Sequence, residues 1–181
     1  GVSRGAQALI PQEVTPAPGK VAYADFTADE LHGINVSLST DIFTVRVGSL
    51  KTKVNADAFP GVFQNPVKFS SAGLTMDWHN VVLYSEYFER EIEGAANAAF
   101  PNQKGSYTTL GYRIGKWLPH FTAARIKDNE DPIVMGPDVP LDQKSKTLGL
   151  RYEVGSGAAL KFEAQKVTPK ENTRGLLISA P

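Results

Sequence analysis

From residue 33 onward, apolar and polar side chains alternate with period two, the mark of β-strands whose two faces meet different surroundings. The first predicted strand, 33–40, sets Ile34, Val36 and Leu38 against Asn35, Ser37 and Ser39. The second, 42–54, alternates Phe43, Val45 and Val47 with Thr44, Arg46 and Gly48. The third, 67–78, opposes Ala72, Leu74, Met76 and Trp78 to Ser71, Gly73, Thr75 and Asp77. In the fourth, 81–92, the faces are mixed: Val81, Leu83 and Tyr87 share one with Ser85, and Tyr84 and Phe88 share the other with Glu86 and Arg90. Cleaner alternation returns at 106–114, with Leu110, Tyr112 and Ile114 against Thr109, Gly111 and Arg113. A sixth strand spans 117–127 through Trp117, Phe121 and Ala123, with Pro119 near its start. The seventh, 144–154, sets Leu148, Leu150, Tyr152 and Val154 against Thr147, Gly149, Arg151 and Glu153, and the eighth, 158–167, sets Leu160, Phe162 and Ala164 against Lys161, Glu163 and Gln165.

The connections predict how these strands join. Asp41, His79-Asn80, Gly115-Lys116 and Gly155-Ser156-Gly157 are tight-turn signals,. Between the hairpins lie longer loops at 55–66, 94–105 and 128–143. Short and long connections therefore alternate in strict order, giving four hairpins within 33–168. Residues 1–32 read as an irregular loop segment: Pro11, Pro16, Pro18 and Gly19 interrupt any long element, and Thr27 to Glu30 suit the start of a short helical turn,. Residues 169–181 read as an irregular tail in which Leu176, Leu177 and Ile178 begin one further strand.

The expected fold class is all-β: an antiparallel, up-and-down transmembrane β-barrel segment. Three features favour it over a soluble β-sandwich, whose strands also alternate. Turns and loops alternate as periplasmic turns and extracellular loops do. The strands are long against a soluble average of about 5–6 residues. The polar face holds Arg46, Arg113, Arg151, Lys161, Glu153 and Glu163 beside small Gly residues, which a water-filled lumen would accept as a solvent-exposed face would,. Separately, Trp78, Tyr112, Trp117 and Tyr152 cluster beside the short turns, as an aromatic girdle would,. On this reading Arg46, Thr109, Arg113, Arg151, Glu153, Lys161 and Glu163 line a pore, and Leu110, Tyr112, Leu148, Leu150, Tyr152, Leu160 and Phe162 face lipid.

Composition narrows the field. The chain has 181 residues, with 19 Lys plus Arg balanced by 19 Asp plus Glu. Zero net charge gives no basic excess of the kind nucleic acid attracts, so no nucleic-acid partner is expected. The absence of cysteine excludes disulfides, Cys-based zinc sites and thiol nucleophiles,. No apolar run approaches the ~18 residues of a membrane helix, a limit that does not bear on barrel strands. The sequence opens Gly1-Val2-Ser3-Arg4 without a signal peptide, and the expectation is that a leader was cleaved or that the start lies upstream,.

Candidate chemistry is sparse. His32, His79 and His120 are scattered without metal-ligand spacing, and no Gly-rich phosphate loop or Gly-x-Ser-x-Gly elbow occurs,. Ser85 and His120 form a conceivable nucleophile and base that nothing in the sequence brings together. The expectation is therefore no catalysis, no cofactor and no metal. The 128–143 loop carries Asp128, Glu130, Asp131, Asp138 and Asp142, which suits a solvated loop or one that binds cations or narrows a pore. Arg46, Arg113 and Arg151 suggest an anion-attracting ladder, but Glu86, Glu153 and Glu163 on the same side favour a mixed lumen in which charges satisfy one another,.

The segments 106–120 (SYTTLGYRIGKWLPH), 146–154 (KTLGLRYEV) and 159–166 (ALKFEAQK) resemble the C-terminal portion of Gram-negative outer-membrane porin-like proteins, and 6–11 (AQALIP) is similar to a segment that follows an early barrel strand. The resemblance spans about 66–168. It implies a barrel of about sixteen strands, often trimeric, that passes small hydrophilic solutes or ions through the outer membrane. Expected partners are outer-membrane lipid, small solutes, a possible homotrimer and the remaining strands of the same barrel. The sequence departs from that family in having few strands and in ending Ser179-Ala180-Pro181 without a terminal strand and final aromatic residue. With four short turns and three long loops, both ends of the eight-strand run fall on the extracellular side, which suggests strands missing at both ends. Two other readings remain: a soluble or surface β-sandwich that binds carbohydrate or protein, and a complete small barrel with a structural or adhesive role.

Overall fold

The computed structural model describes residues 2–9, 23–56, 63–99, 101–128, 142–155 and 157–170. They form one antiparallel sheet of nine strands: β1 (Val2–Leu9), β2 (Tyr23–Ser39), β3 (Phe43–Ala56), β4 (Asn65–Trp78), β5 (Val81–Ile92), β6 (Gln103–Tyr112), β7 (Trp117–Asp128), β8 (Asp142–Gly155) and β9 (Ala158–Pro169). The strands lie side by side in chain order, so the sheet is a pure up-and-down meander. A single turn of helix, α1 (Ala96–Ala99), sits in the β5–β6 connection.

The four expected tight turns all close hairpins at one end of the sheet. Thr40 staples the β2–β3 turn: its hydroxyl accepts from the Ile42 and Phe43 amides at 3.2 and 3.1 Å. His79 takes the left-handed conformation (φ 55°) between β4 and β5. Gly157 turns β8 into β9 at φ 79°, where a side chain would be strained,. The β6–β7 hairpin is closed beyond its ladder by an Ile114–Trp117 bridge around Gly115-Lys116.

Two sequence expectations are corrected here. Residues 1–32 are not simply irregular, since β1 and the first part of β2 occupy Val2–Leu9 and the stretch from Tyr23. The predicted helical turn at Thr27–Glu30 is strand, with a bulge that shifts the register between Asp29 and His32 and places Glu30 at φ 53°. A bulge puts two residues opposite one and breaks period-two alternation, which hides a strand from pattern reading. The ninth strand also removes the parity argument: β1 starts at the short-turn end, whereas β9 finishes at the long-loop end. The predicted strand at Leu176–Ile178 and the acidic positions Glu130, Asp131 and Asp138 lie outside the described residues.

The sheet is not closed: β1 and β9 are its two edges. Among the described residues it is a single layer in which strands pack chiefly on their sequence neighbours, with no second sheet across a core. Among the described residues only Val82, Ile92 and Ala96 form a buried hydrophobic set. The hydrogen-bond ladders, not a packed interior, carry the architecture.

Candidate functional site: the polar face

The registers fix which side chains share a face. Val45 stands opposite Leu38 and Leu74, Leu83 opposite Met76 and Leu110, and Phe121 opposite Leu110 and Leu148. These residues form one continuous apolar field that ends at β9 with Leu160, Phe162 and Ala164. Their neighbours along each strand form the other, polar face. The seven residues expected to face lipid all fall on the apolar face, and the seven expected to line a pore all fall on the polar one.

Burial distinguishes the faces further. Ile34, Leu148 and Phe162 are 68%, 67% and 62% exposed, far more than a soluble fold leaves large apolar groups,. Among the described residues, the buried strand positions lie on the polar side: Val82, Ile92, Gly105, Gly111, Asp128, Gln143, Thr147 and Gly149. In a flat single layer the two faces would be exposed alike. On the polar face Phe88, Leu118 and His120 lie over Gly105, Gly111 and Gly149, which accounts for part of that burial.

The polar face is stitched by charge-assisted contacts. Arg113 donates both terminal nitrogens to the Asp77 carboxylate, two strands away. Arg151 binds Glu153 at 2.8 Å on the same strand. Glu163 accepts from Lys161 at 2.9 Å and lies 3.2 Å from His120 Nε2. Tyr107 donates to Glu86 at 3.2 Å, and Thr109 and Thr122 share a hydrogen bond of 2.7 Å. Nearer the long loops, Arg90 donates to the Pro101 carbonyl and to Gln103, which in turn donates to Asp128 at 3.0 Å. The charges of this face are therefore largely paired with one another. Arg46 is different. It borders a hollow of about 110 Å³ with Thr44, Tyr84, Glu86 and Tyr107, and it makes no ion pair among the described residues.

His120 reaches Glu163 across a whole strand. Its register partner is Gly149 on β8, whose own partner is Glu163 on β9. A Cβ built on Gly149 would fall on the imidazole ring, so the missing side chain is what lets the ring lie over β8. Sequence reading set His120 aside as an isolated histidine and did not pair Asp77 with Arg113. Both had a signal: each occupies a polar-face position in its strand's alternation.

Ser85 and His120 lie on opposite faces, and Ser85 Oγ is engaged with Thr108 Oγ1 at 2.9 Å, so the conceivable nucleophile–base pair is not assembled. Among the described residues no group of three or more His, Cys, Asp or Glu converges on a metal-sized site.

On the apolar face, Trp78, Tyr112, Trp117 and Tyr152 lie together near the short turns. The Trp117 and Tyr152 rings pack at 4.3 Å across β7 and β8. Comparisons with protein-family models, with curated proteins and with solved structures found no match to the chain.

Proposed function

We propose that the sheet is part of the wall of an outer-membrane β-barrel channel of porin type, with its apolar face toward lipid and its polar face toward a water-filled lumen that small hydrophilic solutes or ions cross by passive diffusion. The observation that carries this reading is the opposition of the two faces: most of the exposed large apolar side chains stand on one, and among the described residues the fully buried strand positions fall on the polar other. A lipid-facing surface needs no protein cover, whereas in water the same field would be a large exposed apolar patch. Strands β2 to β9, of 10–17 residues, reach or exceed the 9–11 that a tilted crossing requires,. The aromatic row near the short turns suits the headgroup level at that end. An open sheet cannot sit in lipid with unpaired edges. The β1 and β9 edges therefore take further strands, in a barrel of about sixteen.

The lack of native cysteine makes a direct test clean. Single substitutions Leu110→Cys, Leu148→Cys and Phe162→Cys, and separately Thr109→Cys and Glu163→Cys, are refolded with phosphatidylcholine vesicles and labelled. Fluorophores at the first three positions are expected to be quenched by brominated lipid, while the last two react with water-soluble maleimide. Equal aqueous reactivity at all five would sink the proposal.

A further inference from the structure

The apolar face changes character toward the long loops. There the alternation that supplies Val47, Ala72, Leu110, Phe121, Leu148 and Phe162 delivers lysines. The registers set three pairs of them directly opposite one another on adjacent strands: Lys51 with Lys68, Lys104 with Lys127, and Lys146 with Lys166. Arg125 and Lys144 form a fourth opposed pair. Residues so placed have Cβ atoms about 4.5–5.5 Å apart, and like charges there are destabilising.

Acids stand beside part of this row: Glu89 is opposite Lys104 and Asp142 is opposite Lys127, but no carboxylate is in register with Lys51, Lys146 or Lys166. Lys68 is held by Glu91 at 3.1 Å and Arg125 by Asp142 at 2.8 Å. Among the described residues, Lys51, Lys104, Lys127, Lys146 and Lys166 make no ion pair. On the polar face most charges find partners, but here cations outnumber the interleaved Glu89, Glu91 and Asp142, and Lys146 stands opposite Lys166 with no acid in register. The short-turn end of the same face carries Trp and Tyr instead.

We propose that this row is a docking belt for the phosphates of anionic lipid headgroups. It rests on the wall reading above, which puts the belt at the level where the apolar field leaves the hydrocarbon. Headgroup phosphates held between opposed lysines convert each repulsive pair into a bridged one. A belt on several adjacent strands matches a lipid surface, which presents many phosphates in one plane, better than a single dissolved anion. The two ends of the wall thereby differ, with aromatic anchoring at one and ionic anchoring at the other.

The test uses the full chain refolded into vesicles of phosphatidylcholine alone or of phosphatidylcholine doped with phosphatidylglycerol. Protease protection reports insertion, and urea unfolding reports stability. Wild type is expected to insert in both and to resist urea better in the doped vesicles, an advantage that fades with salt and that inorganic phosphate in bulk does not reproduce. A variant carrying K51Q, K68Q, K104Q and K127Q should lose most of that advantage, up to about fivefold in the folding equilibrium per lysine. In pure phosphatidylcholine the same variant should be more stable than wild type, because the like-charge opposition is gone. The arginine counterpart of these four changes should keep the anionic preference. Insertion without anionic preference, or a preference the glutamine variant retains, overturns the belt and leaves the wall reading standing. An advantage reproduced by inorganic phosphate overturns the lipid as occupant. Failure of wild type to insert in either vesicle overturns both.

Discussion

The two faces of β8 solve opposite problems with the same backbone. Leu148 and Leu150 project to one side, where Leu148 is left 67% exposed. Thr147 and Gly149 project to the other and are buried, although β8 is covered there by no second layer among the described residues. The apolar side depends on its surroundings for stability, whereas the polar side is satisfied by its neighbours. A surface whose hydrophobic residues are uncovered and whose polar residues are crowded is inverted relative to a soluble sheet. That inversion, more than any single residue, points toward lipid.

The largest effect should come from charging the apolar side. Leu148→Arg places a guanidinium in the middle of the field, and in a bilayer it should cost about 2–4 kcal/mol of folding free energy by urea titration in vesicles. Thr147→Arg, one residue away on the polar face, should cost clearly less in the same assay if that face is wet. Equal losses would erase the distinction between the faces.

Next in size is the crossing of His120 over Gly149. Gly149→Leu drives a side chain into the ring and should destabilise by about 1–3 kcal/mol, the range for overpacking. His120→Ala in that background should recover part of the loss by vacating the space. Additive losses in the double variant would mean that the two positions do not share that space.

How much of this was legible beforehand depends on the element. From β4 to β9 the turn residues and, in every strand but β5, a clear period of two place the strands within a few positions. The bulge at Asp29–His32 breaks that period, and the first part of β2 is lost to pattern reading with it. The mixed β5 pattern resolves only in register. Phe88 belongs with Glu86 and Arg90 because it stacks on Phe69 at 6.0 Å and lies over Gly105, where a Cβ would meet it. The Asp77–Arg113 pair joins residues 36 apart in sequence, and only the register of three strands brings them together. Face membership is local information and can be read from spacing, but partners within a face are not. The lysine pairs illustrate the same divide: each lysine is visible in the sequence, its opposition to another only in the ladders.

Within the polar face, pairing should separate residues that set selectivity from residues that are already neutralised. Arg113→Gln breaks a bidentate contact and exposes Asp77, so reversal potentials of the reconstituted protein should move toward cations. Its stability cost should be small, because exposed ion pairs are well screened by water. Arg46→Gln also moves selectivity toward cations, by removing a positive charge that makes no ion pair among the described residues. It should leave urea unfolding nearly unchanged, since no ion pair is lost.

The smallest expected effect is at Arg151–Glu153, neighbours on one strand with side chains about half exposed. Replacing both by Gln removes a cation and an anion from the same patch. Neither reversal potential nor stability should shift measurably, given that exposed pairs contribute about 0–1 kcal/mol. A shift in selectivity as large as that of Arg46→Gln would mean that Arg151 and Glu153 act separately on passing ions. The polar face would then be a sequence of independent charges, and the contrast with the self-opposed lysines across the sheet would lose its electrostatic basis.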